Sequence, residues 1–304
     1  MRTLVTIGGE RDYPGHVPSG PVGRRLVARL VAAGQSVRVL APQAQADGWA
    51  PEIDVVIGDV TDPGPASAVF EGIDRMFLAS AVPETVHEVV TLARRGGARR
   101  IVLLSSHGPE VEIGFTPDSW YWLAIEVVVE RSGASWTHLQ PSPIMAQTLE
   151  PGFPDTGSDV AAAIRAGKVV REANPDAPYP LTDEDDLAAV AMVALHEARY
   201  TGQTLTVHGE PISLREQLDL IGRTLGRTIA VEELTPEQTA DRYRRHGVTD
   251  DEIGEWLATE DEPAPHDPGL DRWMTEGVDT ITRILGRPPR TYADWLDDHI
   301  DLLQ

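Results

Sequence analysis

The sequence predicts an α/β fold, a doubly wound parallel sheet with a smaller, mainly helical C-terminal substrate lobe. Three observations point there. Short β-branched apolar runs alternate with amphipathic helical stretches through the first half of the chain. The opening stretch, Thr3 to Leu40, reads as a strand, a glycine-bearing loop, a helix and a second strand, the layout of a nucleotide-binding βαβ unit. Beyond about residue 150 the alternation loosens into Pro/Gly/Asp-rich loops and separate helices.

Thr3 to Ile7 is short and β-branched, as a strand buried on both faces of a parallel sheet should be. Gly20-Pro21-Val22-Gly23 opens a helix in which Val22, Leu26, Val27, Leu30 and Val31 recur at helical spacing, and Gly34 takes the left-handed cap. Ser36 to Leu40 is the second strand. Glycines at such a turn let the backbone approach a pyrophosphate, whose charge the helix N-terminus favours. The spacing is irregular, because an insertion with Arg11, Asp12, Tyr13 and Pro14 separates Gly8 and Gly9 from Gly20 and Gly23. Asp54–Gly58 and Arg75–Ser80 read as the third and fourth strands, Pro83–Arg95 as a helix stopped by Gly96-Gly97, and Ile101–Leu104 as the fifth strand. Ser119–Arg131 forms the next helix, and Trp136–Gln140 the sixth strand, ahead of Pro141-Ser142-Pro143. Ligands of a doubly wound sheet sit beyond the C-terminal strand ends, which here are Gly8, Asp59 with Val60, Ser80, and Ser105 to His107.

Further on, 150–159 and 174–180 read as loops, Leu187–Leu195 as an alanine-rich helix, and Thr204–Val207 as a strand returning to the main sheet. Two capping boxes follow, Ser213 with Glu216 and Thr235 with Gln238 behind Pro236. Tyr292, Trp295, Leu296, His299 and Leu303 sit at helical spacing for packing against the body. Residues 1–150, rejoined by about 182–208, are expected to form the binding domain, and 151–181 with 209–304 the substrate lobe.

The 304 residues with 41% hydrophobic content suffice for one large core and a smaller lobe. No apolar run long enough to span a membrane, no secretory signal and no low-complexity tract is present, so the expectation is a cytoplasmic protein without membrane association. The absence of cysteine excludes disulfides, thiolate catalysis and cysteine-based zinc sites, and no metal is expected. The net charge of −22 repels phosphate backbones and argues against nucleic-acid binding. Of the 26 basic residues all but Lys168 are arginine.

Over nearly its whole length the chain resembles the NmrA-like group of atypical short-chain dehydrogenase/reductases. The carriers are Val37-Arg38-Val39-Leu40, Gly58-Asp59-Val60-Thr61-Asp62, Arg100-Ile101-Val102-Leu103-Leu104-Ser105-Ser106 and Ser132-Gly133-Ala134-Ser135-Trp136-Thr137-His138-Leu139-Gln140-Pro141. Asp186-Leu187-Ala188-Ala189-Val190-Ala191, Leu205-Thr206-Val207-His208-Gly209 and Gly286-Arg287-Pro288-Pro289-Arg290-Thr291-Tyr292 complete the set. The resemblance implies an NAD(P)-binding Rossmann domain with cofactor contacts at Gly8, Gly9, Arg11, Gly20, Val22, Gly23, Arg24, Asp59, Val60, Ser80 and Ser105. Just past the second strand, where members carry a basic or acidic residue, stands Ala41-Pro42. A 2′-phosphate would then be read by Arg11, Arg24 or Arg25, which favours NADP(H) over NAD(H).

Reductases of the wider superfamily place Tyr and Lys four apart on the helix after the fifth strand. Aligned on Ser132-Gly133, those positions are Asp118 and Trp122, and neither can do that work. Ser106, His107 and Tyr121 are the replacement proton donors, with His107 foremost because imidazole titrates near neutrality. Trp120, Trp122, Gln140, Ser142 and Met145 are expected to line the substrate site, the aromatic pair and Met145 as an apolar wall. Three functions compete. The first is an NAD(P)H-dependent reductase of an activated ketone, enone or quinone, an aromatic or polyketide-like small molecule of secondary metabolism. The others are a non-catalytic redox sensor acting through a protein partner, and a non-redox isomerase or cyclase on the same fold. A homodimer is compatible with all three.

Overall fold

The computed structural model describes residues 1–8, 19–106, 116–149, 159–250, 253–254 and 268–303. In chain order the regular elements begin with β1 (Arg2–Thr6), α1 (Ser19–Ala32), β2 (Ser36–Ala41), β3 (Asp54–Ile57), β4 (Arg75–Leu78) and α2 (Val86–Gly96). There follow β5 (Arg100–Leu104), α3 (Thr116–Glu130), β6 (Ser135–Pro141), α4 (Val160–Arg165), β7 (Val170–Glu172), β8 (Pro178–Pro180), α5 (Glu184–His196) and β9 (Gln203–Val207). The rest are β10 (Pro211–Ser213), α6 (Leu214–Leu225), β11 (Val231–Glu233), α7 (Pro236–Arg245), α8 (Pro268–Leu285) and α9 (Tyr292–His299).

The chain divides into two compact units, the first comprising Met1–Pro143, Glu184–His208 and Glu276–Pro289. Its sheet has seven parallel strands in the order β3-β2-β1-β4-β5-β6-β9. The order reverses between β1 and β4, and that switch point is where a doubly wound sheet opens a ligand crevice. Strands and helices meet in an apolar core around Leu4, Leu40, Phe70, Met76, Val89 and Trp122, all at most 1% exposed. α1 is stopped at Gly34 (φ 71°) and lies along α5. Three successive acids in the first turn of α5 suit the positive end of its dipole. Each is paired: Glu184 with Arg25 (3.2 Å), Asp185 with Arg29 (2.5 Å) and Asp186 with Arg287 (2.5 Å). The Arg287 pair belongs with an unexpected boundary, since Glu276–Pro289, expected in the second lobe, forms part of the first unit.

The second unit comprises Ile144–Asp183, Gly209–Thr275 and Arg290–Gln304. Its core gathers Met145, Ile164, Leu218, Ile221, Trp295 and Leu296. Two small ladders join it, β8 antiparallel to β10 and β7 parallel to β11. The strand β8 falls within 174–180, expected as loop; its prolines bracket Tyr179, which pairs with Ile212. Both expected capping boxes form, at Ser213/Glu216 and Thr235/Gln238, and a third, Thr291/Asp294, opens α9. Tyr292 is buried at the start of α9, which pushes its hydroxyl up to about 12.

Candidate functional site

The switch point is closed by a short chain of hydrogen bonds. Gly8, just past β1, donates its N–H to Ser19 Oγ (3.0 Å), and the Ser19 and Ser80 hydroxyls lie 2.9 Å apart. A Cβ on Gly8 would stand 2.1 Å from Ser80 Oγ, so only glycine permits this approach. Ser80, just past β4, has left-handed backbone (φ 58°), a conformation costing a non-glycine residue roughly 1–2 kcal/mol. The hydroxyl contact holds it there. The Gln45 side chain spans the same turn, its Nε2 donating to Gly8 O (2.7 Å) and its Oε1 standing 2.8 Å from where a Gly20 Cβ would be.

The second glycine of the helix start does something different. A Cβ on Gly23 would meet Ile7 at 2.8 and 2.9 Å, so its hydrogen is what lets α1 pack on the strand. Gly23, expected at the pyrophosphate with Gly20, faces Ile7 and Val5 of the sheet side, and the neighbouring Val22 is fully buried. Arg24 lies over the Trp49 ring (4.3 Å to the centroid) and donates through Nη2 to Gln45 O (3.2 Å) and Asp47 O (2.9 Å). Trp49 Nε1 caps the same Gln45 carbonyl at 3.0 Å. The guanidinium is therefore fixed under the loop that follows β2, whereas Arg25 is turned to Glu184.

Past β3, Asp59 Oδ1 accepts from the Thr61 N–H (2.9 Å) and hydroxyl (3.0 Å), and Thr85 Oγ1 donates to Val60 O (2.7 Å). Past β5, Ser105 N continues the ladder to Leu139 O (2.9 Å), and Ser105 Oγ donates to Glu126 Oε1 at 2.7 Å. Gln140 Nε2 donates to that same oxygen at 3.0 Å. Ser106 and Ser142 are buried beside them in sequence. Gly9, Arg11 and His107 lie outside the described residues.

The two tryptophans expected in one apolar wall do not share a face. Trp122 is 1% exposed within the core of the first unit, Trp120 is 68% exposed, and Met145 is buried in the core of the second unit. Residues two apart on a helix point to opposite sides, so Trp120 and Trp122 cannot share a face. Tyr121 meets Trp122 edge-on at 5.6 Å and packs against that core. Missed in the sequence were Ser19, Gln45, Trp49 and Glu126. Glu126 had a visible signal, as the lone charge in the apolar run Trp120 to Val129; Ser19 and Gln45 had none, because Ser80 and Gly8 are distant from them in sequence, and Trp49 none because its part depends on Arg24, 25 residues away.

The turn suits a dinucleotide. α1 is 14 residues long with no acid in its first turn, so its N-terminus favours an anion, and Arg24 adds a fixed positive charge. Among the described residues no cluster of His, Asp and Glu could hold a metal ion, and no helix is long and apolar enough to cross a membrane. The profile of an NAD(P)H-binding family matches residues 19–173. A Streptomyces griseus protein, (4-alkanoyl-5-oxo-2,5-dihydrofuran-3-yl)methyl phosphate reductase, is 30% identical over 296 residues, covering 93% of this chain and 96% of its own. Triphenylmethane reductase of Citrobacter sp., solved with NADP(H), superposes with a TM-score of 0.66 at 16% identity, covering 99% of both chains. NmrA, a negative transcriptional regulator solved with NAD, gives 0.64 at 14% identity over 99% of this chain and 95% of its own.

Proposed function

Because the chain belongs to the NAD(P)H-binding, NmrA-like branch of the atypical short-chain dehydrogenase/reductases, an oxidoreductase lineage, we propose that it reduces a conjugated enone, activated ketone or quinone. The observation that carries this reading is Trp122. The position where superfamily reductases hold a lysine is filled by an indole in the apolar core, so no ammonium stands there to lower a tyrosine pKa or hold a ribose. A substrate matched to such a site must accept hydride without a strong acid. The name of the Streptomyces relative describes one: a ring double bond conjugated with a lactone carbonyl and an alkanoyl carbonyl. Hydride addition to that bond leaves an enolate delocalised over both oxygens, which needs little protonation in the transition state.

A reduced nicotinamide, when bound, supplies the hydride. The protein's part is to bind and to orient. Gly8, Ser19, Gly20 and the N-terminus of α1 would hold the pyrophosphate, and Ser105, Ser106 and Gln140 would flank the reacting end. Arg24, held by Trp49 and two loop carbonyls, is the residue we assign to a 2′-phosphate, which makes NADPH the preferred cofactor. The substrate is a small molecule of aromatic or polyketide-like character from secondary metabolism, and Ser106, His107 or Tyr121 supply general-acid help of roughly 10²–10⁴-fold. Incubating the protein with NADPH and a panel of acylbutenolides, quinones and polyketide ketones tests this directly. Reduction of a conjugated acceptor supports it; tight NADPH binding with no acceptor reduced would favour a redox sensor.

A further inference from the structure

Glu126 is a carboxylate buried at the ligand end of the first unit's sheet, 5% exposed, one helical turn after Trp122. Its helix neighbours Trp122, Ile125 and Val129 all belong to the apolar core. Packing alone would place another apolar side chain here, since a buried carboxylate is costly unless donors satisfy it. Two donors do, and they come from adjacent strand ends: Ser105 Oγ at 2.7 Å and Gln140 Nε2 at 3.0 Å, both on Oε1.

That convergence constrains chemistry. A serine hydroxyl has one hydrogen, and at Ser105 it is committed to Glu126, which leaves the oxygen able only to accept. The same carboxylate oxygen selects the amide nitrogen end of Gln140 and so fixes which way that carboxamide faces. Ser106 follows Ser105 directly and is buried with it.

We infer that Glu126 is a positioning residue for the nicotinamide end of the site: it ties the ends of β5 and β6 to α3 and holds Ser105 as an acceptor, not a proton source. This rests on the reading that the chain binds NADPH. The pyrophosphate and 2′-phosphate end, at Gly8 past β1 and at Ser19 and Arg24 on α1, lies on other elements and does not depend on it.

The test compares full-length Glu126→Gln and Glu126→Ala with the parent protein. Affinity for 2′,5′-ADP reports the adenosine end alone, the emission of bound NADPH reports the nicotinamide environment, and kcat with a conjugated acceptor reports the reaction. Both variants should bind 2′,5′-ADP within about twofold of parent. Glu126→Ala should lose at least about tenfold in kcat and alter the NADPH emission, with Glu126→Gln, which keeps an acceptor oxygen without its charge, in between. Should Glu126→Ala fail to fold, Ser105→Ala removes the serine bond to the carboxylate and should shift both readouts the same way. Parental kcat and emission in the folded variants would overturn the inference, as would a parallel loss of 2′,5′-ADP affinity, which marks general damage. A parent protein that binds no NADPH would instead overturn the functional reading.

Discussion

Arg24 is one guanidinium with three partners, Trp49 and the carbonyls of Gln45 and Asp47, and that fixation is what makes it a candidate for reading a phosphate. A charge-assisted phosphate contact is worth about 1.5–3 kcal/mol. Arg24→Ala should therefore lower NADPH affinity by about ten- to a hundredfold while leaving NADH affinity nearly unchanged, as measured by titration of reduced-nicotinamide fluorescence. An unaltered NADPH/NADH ratio would move the task to another arginine. Gly23 gives the opposite kind of prediction. Because its missing Cβ would lie 2.8 Å from Ile7, Gly23→Leu overpacks the contact between α1 and the sheet, costing about 1–3 kcal/mol or more. The expected outcome is a lower urea midpoint for the variant even without cofactor. An unchanged midpoint would show that α1 can back away from the strand.

At the scale of elements, local chemistry was the most legible part of the chain. Ser213/Glu216 and Thr235/Gln238 announce helix starts because a capping box needs residues only three apart, and both boxes form. Ser213→Ala should cost about 1 kcal/mol, within a range of about 0.5–2, measurable by urea unfolding, with α6 losing its first turn. Alternation of strands and helices likewise disclosed the parallel sheet, since strands buried on both faces must be apolar throughout. Less was legible where contacts are long-range. The third box escaped because Asp294 is an uncommon partner at that position. A shared face for Trp120 and Trp122 was misread because helical geometry sends Trp122 inward and Trp120 outward. The bonds from Gln45 to Gly8 and from Ser105 to Glu126 are made by folding and have no local signature.

The molecule as a whole carries a pH liability in His138. Its ring has no solvent exposure, stacks on Trp136 (4.4 Å) and has neither nitrogen hydrogen-bonded among the described residues. Burial pulls its pKa down to about 4. Glu130 Oε1 lies 3.4 Å away and would favour the charged ring, but that carboxylate is 42% exposed and screened, so burial prevails. The unfolded chain binds a proton at this residue below about 6.5 and the folded chain does so only below about 4, so stability falls as pH drops through that window. The full loss is about 3 kcal/mol. Urea midpoints between pH 7 and pH 4 should decline less steeply in His138→Phe than in the parent, and parallel declines would contradict the assignment.

Family membership rests on the profile match over residues 19–173 and on a relative 30% identical over 93% of the chain, whereas the proposed substrate class rests on Trp122 in the place of a lysine. The most direct measurement is hydride transfer from NADPH deuterated at the transferable position to an acylbutenolide or quinone, with the product analysed by mass spectrometry and NMR. Deuterium on the β-carbon of the butenolide, or two-electron reduction of the quinone, at stoichiometry with NADPH oxidised is the expected result. Tight NADPH binding with no acceptor of either class reduced would contradict it.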